Sequence, residues 1–153
     1  MKILMVCLGN ICRSPLAEGI LRHKLSENNI FDIEVDSAGT SNFHIGQSPD
    51  KRTQENAFTH KVDLSKLKAR QFIQEDFDRF DKIYVMDSSN YQNVLALSKN
   101  DEDMAKVEFL LNELNPGLNQ DVPDPYYGGS QGFENVFQLV DKACQKIIEQ
   151  INE

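Results

Sequence analysis

Residues 2–15 read Lys2-Ile3-Leu4-Met5-Val6-Cys7-Leu8-Gly9-Asn10-Ile11-Cys12-Arg13-Ser14-Pro15, an apolar run that breaks at a glycine and restarts on a Ser-Pro pair. A short, nearly continuous apolar run of this kind suits a strand buried on both faces. Ser14 can cap a helix and Pro15 suits its first turn. Leu16, Ile20, Leu21 and Leu25 then follow at helical spacing. The stretch therefore reads as strand, short loop, helix.

Further apolar, β-branched runs lie at 33–37, 82–86 and 107–111, with helical patterns between them. Near the C-terminus Phe133, Val136, Phe137, Val140, Ala143, Cys144, Ile147 and Ile151 form one apolar stripe suited to covering a sheet. Alternating strands and helices imply parallel crossovers. The expected fold is α/β: a three-layer open sheet of about four parallel strands with helices on both faces. Residues 115–119 and 121–132, rich in Gly and Pro, read as surface loops, and nothing divides residues 1–153 into more than one domain.

The balance of 24 acidic against 16 basic side chains, a formal charge of -8, argues against general nucleic-acid binding. The opening apolar run is far shorter than the roughly 20 residues that span a bilayer and lacks a signal-peptide pattern. The chain is expected to be cytoplasmic, with no membrane partner. Three cysteines, an odd number, fit a reducing compartment better than a disulfide framework.

Ligands of open parallel sheets bind at the carboxyl ends of the strands, where the Cys7–Arg13 loop lies. Backbone N–H groups of Leu8, Gly9, Asn10, Ile11, Cys12 and Arg13 can curl around an anion there, aided by the positive end of the following helix. Gly9 and Asn10 tolerate the left-handed backbone such a cradle needs. Arg13 supplies a planar fork for two phosphate oxygens. The Gly-Lys-Ser/Thr ending of a nucleotide P-loop is absent. Cys7 falls at the floor of the cradle, where the groups that hold a dianion also stabilise a thiolate, so it reads as a nucleophile. Cys12 admits two readings: packing behind the loop, or a redox guard that captures oxidised Cys7 as a disulfide. Two cysteines without a further Cys or clustered His do not make a zinc site.

A thiolate displacing an alcohol from phosphorus needs an acid for the leaving oxygen. Asp124, between Pro123 and Pro125, is the candidate, because flanking prolines hold the backbone. A turn-forming Asp is the alternative. Tyr126 and Tyr127 beside it could pack the loop or wall an aryl-binding slot.

With these residues in place the chain resembles the low-molecular-weight protein tyrosine phosphatase family. The likeness runs through residues 7–15, Asp36-Ser37-Ala38-Gly39-Thr40, Ala69-Arg70-Gln71, Met86-Asp87-Ser88-Ser89-Asn90 and Asp124-Pro125-Tyr126-Tyr127. The resemblance implies Cys7 as nucleophile, Arg13 as phosphate clamp, Asp124 as general acid then base, and Asn10, Ser14 and Ser37 bracing the loop. It also implies no metal or other cofactor, and a monomer or weakly self-associating chain that acts on phosphotyrosine-containing proteins or peptides. Ile11 stands where tyrosine phosphatases of the family carry an aliphatic residue and phosphoarginine phosphatases carry threonine. Phe43 stands where the family places an aromatic wall, opposite Tyr126 and Tyr127. Two departures are expected to matter: Leu67 replaces a histidine that joins the bracing network in some relatives, and the role of Asp87 beside it is open. His23, His44 and His60 read as surface or packing residues, with contact to substrate beside Phe43 as the alternative for His44. Phosphoarginine hydrolysis, arsenate reduction and non-enzymatic phosphate binding are the competing readings.

Overall fold

The computed structural model describes residues 1–126 and 128–153; Tyr127 lies outside the described residues. Four strands, β1 (Lys2–Cys7), β2 (Glu34–Gly39), β3 (Lys82–Val85) and β4 (Val107–Phe109), form one sheet in the order β2-β1-β3-β4, with every pairing parallel. The expected fold class is the one observed. β4 ends at Phe109, sooner than its apolar run, because Leu110–Glu113 turns into a 3-10 helix.

Side-chain alternation along β1 divides the interior in two. Ile3, Met5 and Cys7 face α1 (Arg13–Glu27) and α6 (Gly129–Ile151), within a core that includes Leu16, Ile20, Val140 and Ile147. Leu4 and Val6 face the other layer, with Phe77, Phe80, Val94 and Phe109. Phe77 comes from α3 (Asp76–Arg79) and Val94 from α4 (Ser88–Leu95). The α6 stripe is buried as its spacing predicts, apart from half-buried Ile151. Cys144 lies wholly within it, where burial pushes its thiol well up: a core residue. Gly129–Gly132 belongs to α6, so the loop that carries Asp124 is shorter than the reading of 121–132.

β1 is followed in chain order by β2 on one side and by β3 on the other. That reversal opens a crevice at the carboxyl end of β1, and the Cys7–Arg13 loop occupies it. Two further helices, α2 (Lys51–Thr59) and α5 (Asp101–Ala105), complete the chain. No helix among the described residues is long and apolar enough to cross a membrane.

α2 and the turn after it are fastened to α6 by Glu134. It accepts from Asn56 Nδ2 at 2.9 Å, pairs with His60 Nε2 at 2.8 Å and accepts from Gln138 Nε2 at 2.7 Å. The His60 ring also stacks on Phe137 at 3.9 Å. The bond to His60 first, then those from Gln138 and Asn56, hold the Glu134 carboxyl down to about 2. A depressed folded-state value contributes stability above the unfolded value, and that contribution is lost as pH falls through the folded one. Glu134→Gln is accordingly expected to melt below the wild type at neutral pH. The gap in melting temperature should close as pH falls from about 4.5 towards 2.

Candidate active site

The loop after β1 closes around the Cys7 sulfur. Cys7 is buried, its Sγ accepts from Asn10 N–H at 3.3 Å, and it lies 2.9 Å from Ser14 Oγ. Asn10 takes the left-handed backbone, with φ of 56°, whereas Gly9 does not. The absence of a side chain at Gly9 instead makes room for the His44 ring, which a Cβ would meet at 3.0 Å. Gly39 at the end of β2 presses on the loop from behind. A Cβ there would lie 2.7 Å from the Leu8 carbonyl oxygen and 3.0 Å from Asn10 N.

Ser14 does not cap α1, which Cys12 precedes without a side-chain cap. Its hydroxyl is turned inward as part of a buried relay. Asn10 Nδ2 donates to Ser14 Oγ at 2.8 Å and to Ser37 Oγ at 2.9 Å, while Ser37 Oγ donates to Glu18 Oε1 at 2.7 Å. Glu18 is itself buried, and burial raises its carboxyl above the ordinary value despite the Ser37 bond and Arg22, which pairs with it at 2.8 Å. The relay has one direction. Ser37 spends its proton on Glu18 and Asn10 spends both amide protons on the two serines, so the Ser14 proton is free for Cys7 Sγ at 2.9 Å, with the Ala38 carbonyl at 3.4 Å as its other acceptor. The geometry brings together Asn10, Ser14 and Ser37 as expected and adds Glu18, whose burial on α1 four residues before Arg22 no local pattern marked.

Leu67 is half-buried against the main core. Just beyond it, backbone joins the network: Arg70 N–H donates to Asn10 Oδ1 at 3.0 Å. The Arg70 side chain pairs with Asp36 and, twice, with Asp76, each at 3.1 Å. Asp87 has a definite role. Its Oδ1 caps α4 through Asn90 N–H, and its Oδ2 accepts from Arg13 Nη1 at 2.9 Å. The same Nη1 donates to the Val122 carbonyl at 2.9 Å, and Val122 N–H donates to Met86 O at 2.7 Å. The arginine thus reaches across the crevice to the end of β3 and the start of the loop that carries Asp124.

A cleft of about 130 Å³ opens over the sulfur, lined by Cys7, Leu8, Gly9, Ile11, Cys12, Arg13, His44, Asp124, Pro125 and Tyr126. Asp124 is exposed at its mouth, and its Oδ1 accepts from Tyr126 N–H at 2.9 Å. Phe43 is 74% exposed and does not line the cleft; the neighbouring His44, read from sequence as surface or packing, takes the wall position. Cys12 is buried and donates to the Tyr126 hydroxyl at 3.2 Å. Burial, opposed by that bond, pushes its thiol up to about 11. No disulfide joins any of the three cysteines. A larger groove of about 720 Å³ runs along the outer edge of β2, but Arg22 and Arg70, two of the arginines that line it, already hold Glu18, Asp36 and Asp76.

Fold and site together define an α/β protein with a short loop at the carboxyl edge of a parallel sheet, curled around a buried cysteine. The profile described as low molecular weight phosphotyrosine protein phosphatase matches residues 2–153, and the chain belongs to that family. The human low molecular weight phosphotyrosine protein phosphatase is 41% identical over 150 residues, covering 97% of this chain and 94% of its own. Among solved structures, a protein tyrosine phosphatase from Entamoeba histolytica superposes with a TM-score of 0.91 at 33% identity, over 99% of this chain and 97% of its own. An arginine phosphatase from Drosophila superposes with a TM-score of 0.89 at 30% identity, over 100% and 99%.

Proposed function

We propose that this protein hydrolyses phosphotyrosine in proteins and peptides, and small aryl phosphates, through a phosphocysteine intermediate and without a metal. The observation that carries this reading is that Cys7, Arg13 and Asp124, from two loops far apart in sequence, line one small cleft. Cys7 as thiolate receives hydrogen bonds from Asn10 N–H and Ser14 Oγ. It attacks phosphorus in line; the sulfur–phosphorus bond forms as the bond to the aryl oxygen breaks, and Asp124 gives its proton to that oxygen. Asp124, now a carboxylate, takes a proton from water as the water oxygen attacks phosphorus, releasing phosphate and restoring the thiolate. The loop amides and the guanidinium face the equatorial oxygens, where they act most strongly on the transition state.

Depth selects the substrate class. With the nucleophile buried beneath Ile11, His44 and Tyr126, a long planar aryl phosphate delivers phosphorus to the sulfur, whereas phosphoserine falls short. Ile11, aliphatic at the loop's tip, supports phosphotyrosine over phosphoarginine. The likeness to an arginine phosphatase makes the comparison of the two substrates a direct test of that choice.

The acid role is tested by leaving group. Asp124→Ala should lower kcat/KM for phenyl phosphate by about 10²–10⁴ while a good leaving group such as 2,4-dinitrophenol still gives a burst and a trappable phosphocysteine. Chelator should change neither. Equal losses on both substrates would sink the assignment.

A further inference from the structure

The acid-bearing loop is fastened to the phosphate loop through Tyr126, whose hydroxyl ends on a residue outside the cleft. That hydroxyl accepts from the Cys12 thiol at 3.2 Å and donates to Asp50 Oδ2 at 3.1 Å. The chain Cys12 to Tyr126 to Asp50 therefore runs one way and ends on a carboxylate, which accepts and has no proton to give back. Burial works against charge on Asp50, yet hydrogen bonds from Arg52 and Tyr126 outweigh it and hold the carboxyl below its ordinary value.

Asp50 is gripped on every side. Its Oδ1 caps α2 by accepting Arg52 N–H at 2.8 Å, and the Arg52 guanidinium meets both of its oxygens at 3.4 Å. That guanidinium also lies over the Tyr126 ring at 4.8 Å and over Phe133 at 4.9 Å. The backbone N–H of Asp50 donates to the Ile11 carbonyl at 2.7 Å. One residue thus holds the phosphate loop by its main chain and the acid-bearing loop by its side chain, and Tyr126 N–H in turn holds Asp124 Oδ1.

We propose that Asp50 is a positioning residue for phosphoryl transfer: acting through Tyr126, it keeps Asp124 in register with the phosphate loop. The inference rests on the reading of Asp124 as general acid. A displaced acid slows only those substrates whose leaving oxygen needs a proton, so the effect is separable from a general loss of structure. Asp50→Asn keeps an oxygen to cap α2 and the backbone N–H on Ile11, but turns an amide donor towards a hydroxyl that already accepts from Cys12.

The test measures kcat/KM for phenyl phosphate and 2,4-dinitrophenyl phosphate in Asp50→Asn, Tyr126→Phe, their double variant and Asp124→Asn. Asp50→Asn is expected to lower the phenyl phosphate value about tenfold and to leave the dinitrophenyl value within about twofold. If it acts through Tyr126, the double variant will be no slower than Tyr126→Phe alone. An equal loss on both substrates, no loss on either, or additive losses in the double variant overturns the inference while Asp124→Asn still discriminates between the leaving groups. If Asp124→Asn does not discriminate, the acid assignment itself fails, and this inference with it.

Discussion

Cys7→Ser is expected to leave no measurable hydrolysis of any aryl phosphate, good leaving group or poor, and no trappable phosphoenzyme. Oxygen replaces sulfur at nearly the same place, and Asn10 N–H and Ser14 Oγ can still bond it, so the buried hydroxyl is not stranded. The loss is chemical: an alcohol at neutral pH is not the anion that a thiol readily becomes, and among the described residues none at the floor of the cleft is a base placed to take its proton. The thermal transition should stay close to that of the wild type, and orthophosphate should still bind. Turnover at the wild-type rate would overturn the assignment of the nucleophile.

Arg13→Lys comes second in size. Lysine keeps the charge but loses the fork, and a single ammonium cannot hold Asp87, the Val122 carbonyl and a phosphoryl group at once. A fall of about 10²–10³ in kcat is expected, comparable with removing one oxyanion donor from a preorganised site, together with weaker competitive inhibition by orthophosphate. A lysine variant with unchanged kcat and a raised KM would show instead that the arginine serves ground-state binding alone.

The strand, loop and helix at the N-terminus were legible because three local signals coincide there: a two-faced apolar strand, a break at Gly9 and a Ser-Pro helix start. The α6 stripe was legible for a similar reason, since its burial follows from period alone. Ser14 shows where such reading stops. As a residue type it caps helices, but here its hydroxyl lies between Cys7 and Asn10, a fact set by how β1 and α1 pack. Glu18 was invisible on the same ground: on α1 an acid reads as surface until Ser37 and Arg22 are found around it. The aromatic wall misled by one position, because the backbone between Thr40 and Gln47 presents His44 inward and leaves Phe43 in solvent. The tie between Asp50 and Tyr126 joins residues 76 positions apart, beyond the reach of any local pattern.

Among the described residues, both hydrogen bonds of the Arg13 guanidinium to protein use one nitrogen, Nη1. A free arginine side chain carries about 2 kcal/mol of rotamer entropy, which a ligand must ordinarily suppress when it is clamped. Here Asp87 and Val122 immobilise the side chain when the chain folds, and Nε and Nη2 stay on the far edge of the fork for a second partner. In the proposed role the arginine is already positioned before any phosphate arrives, so its entropic cost has been moved from the binding step to the folding step.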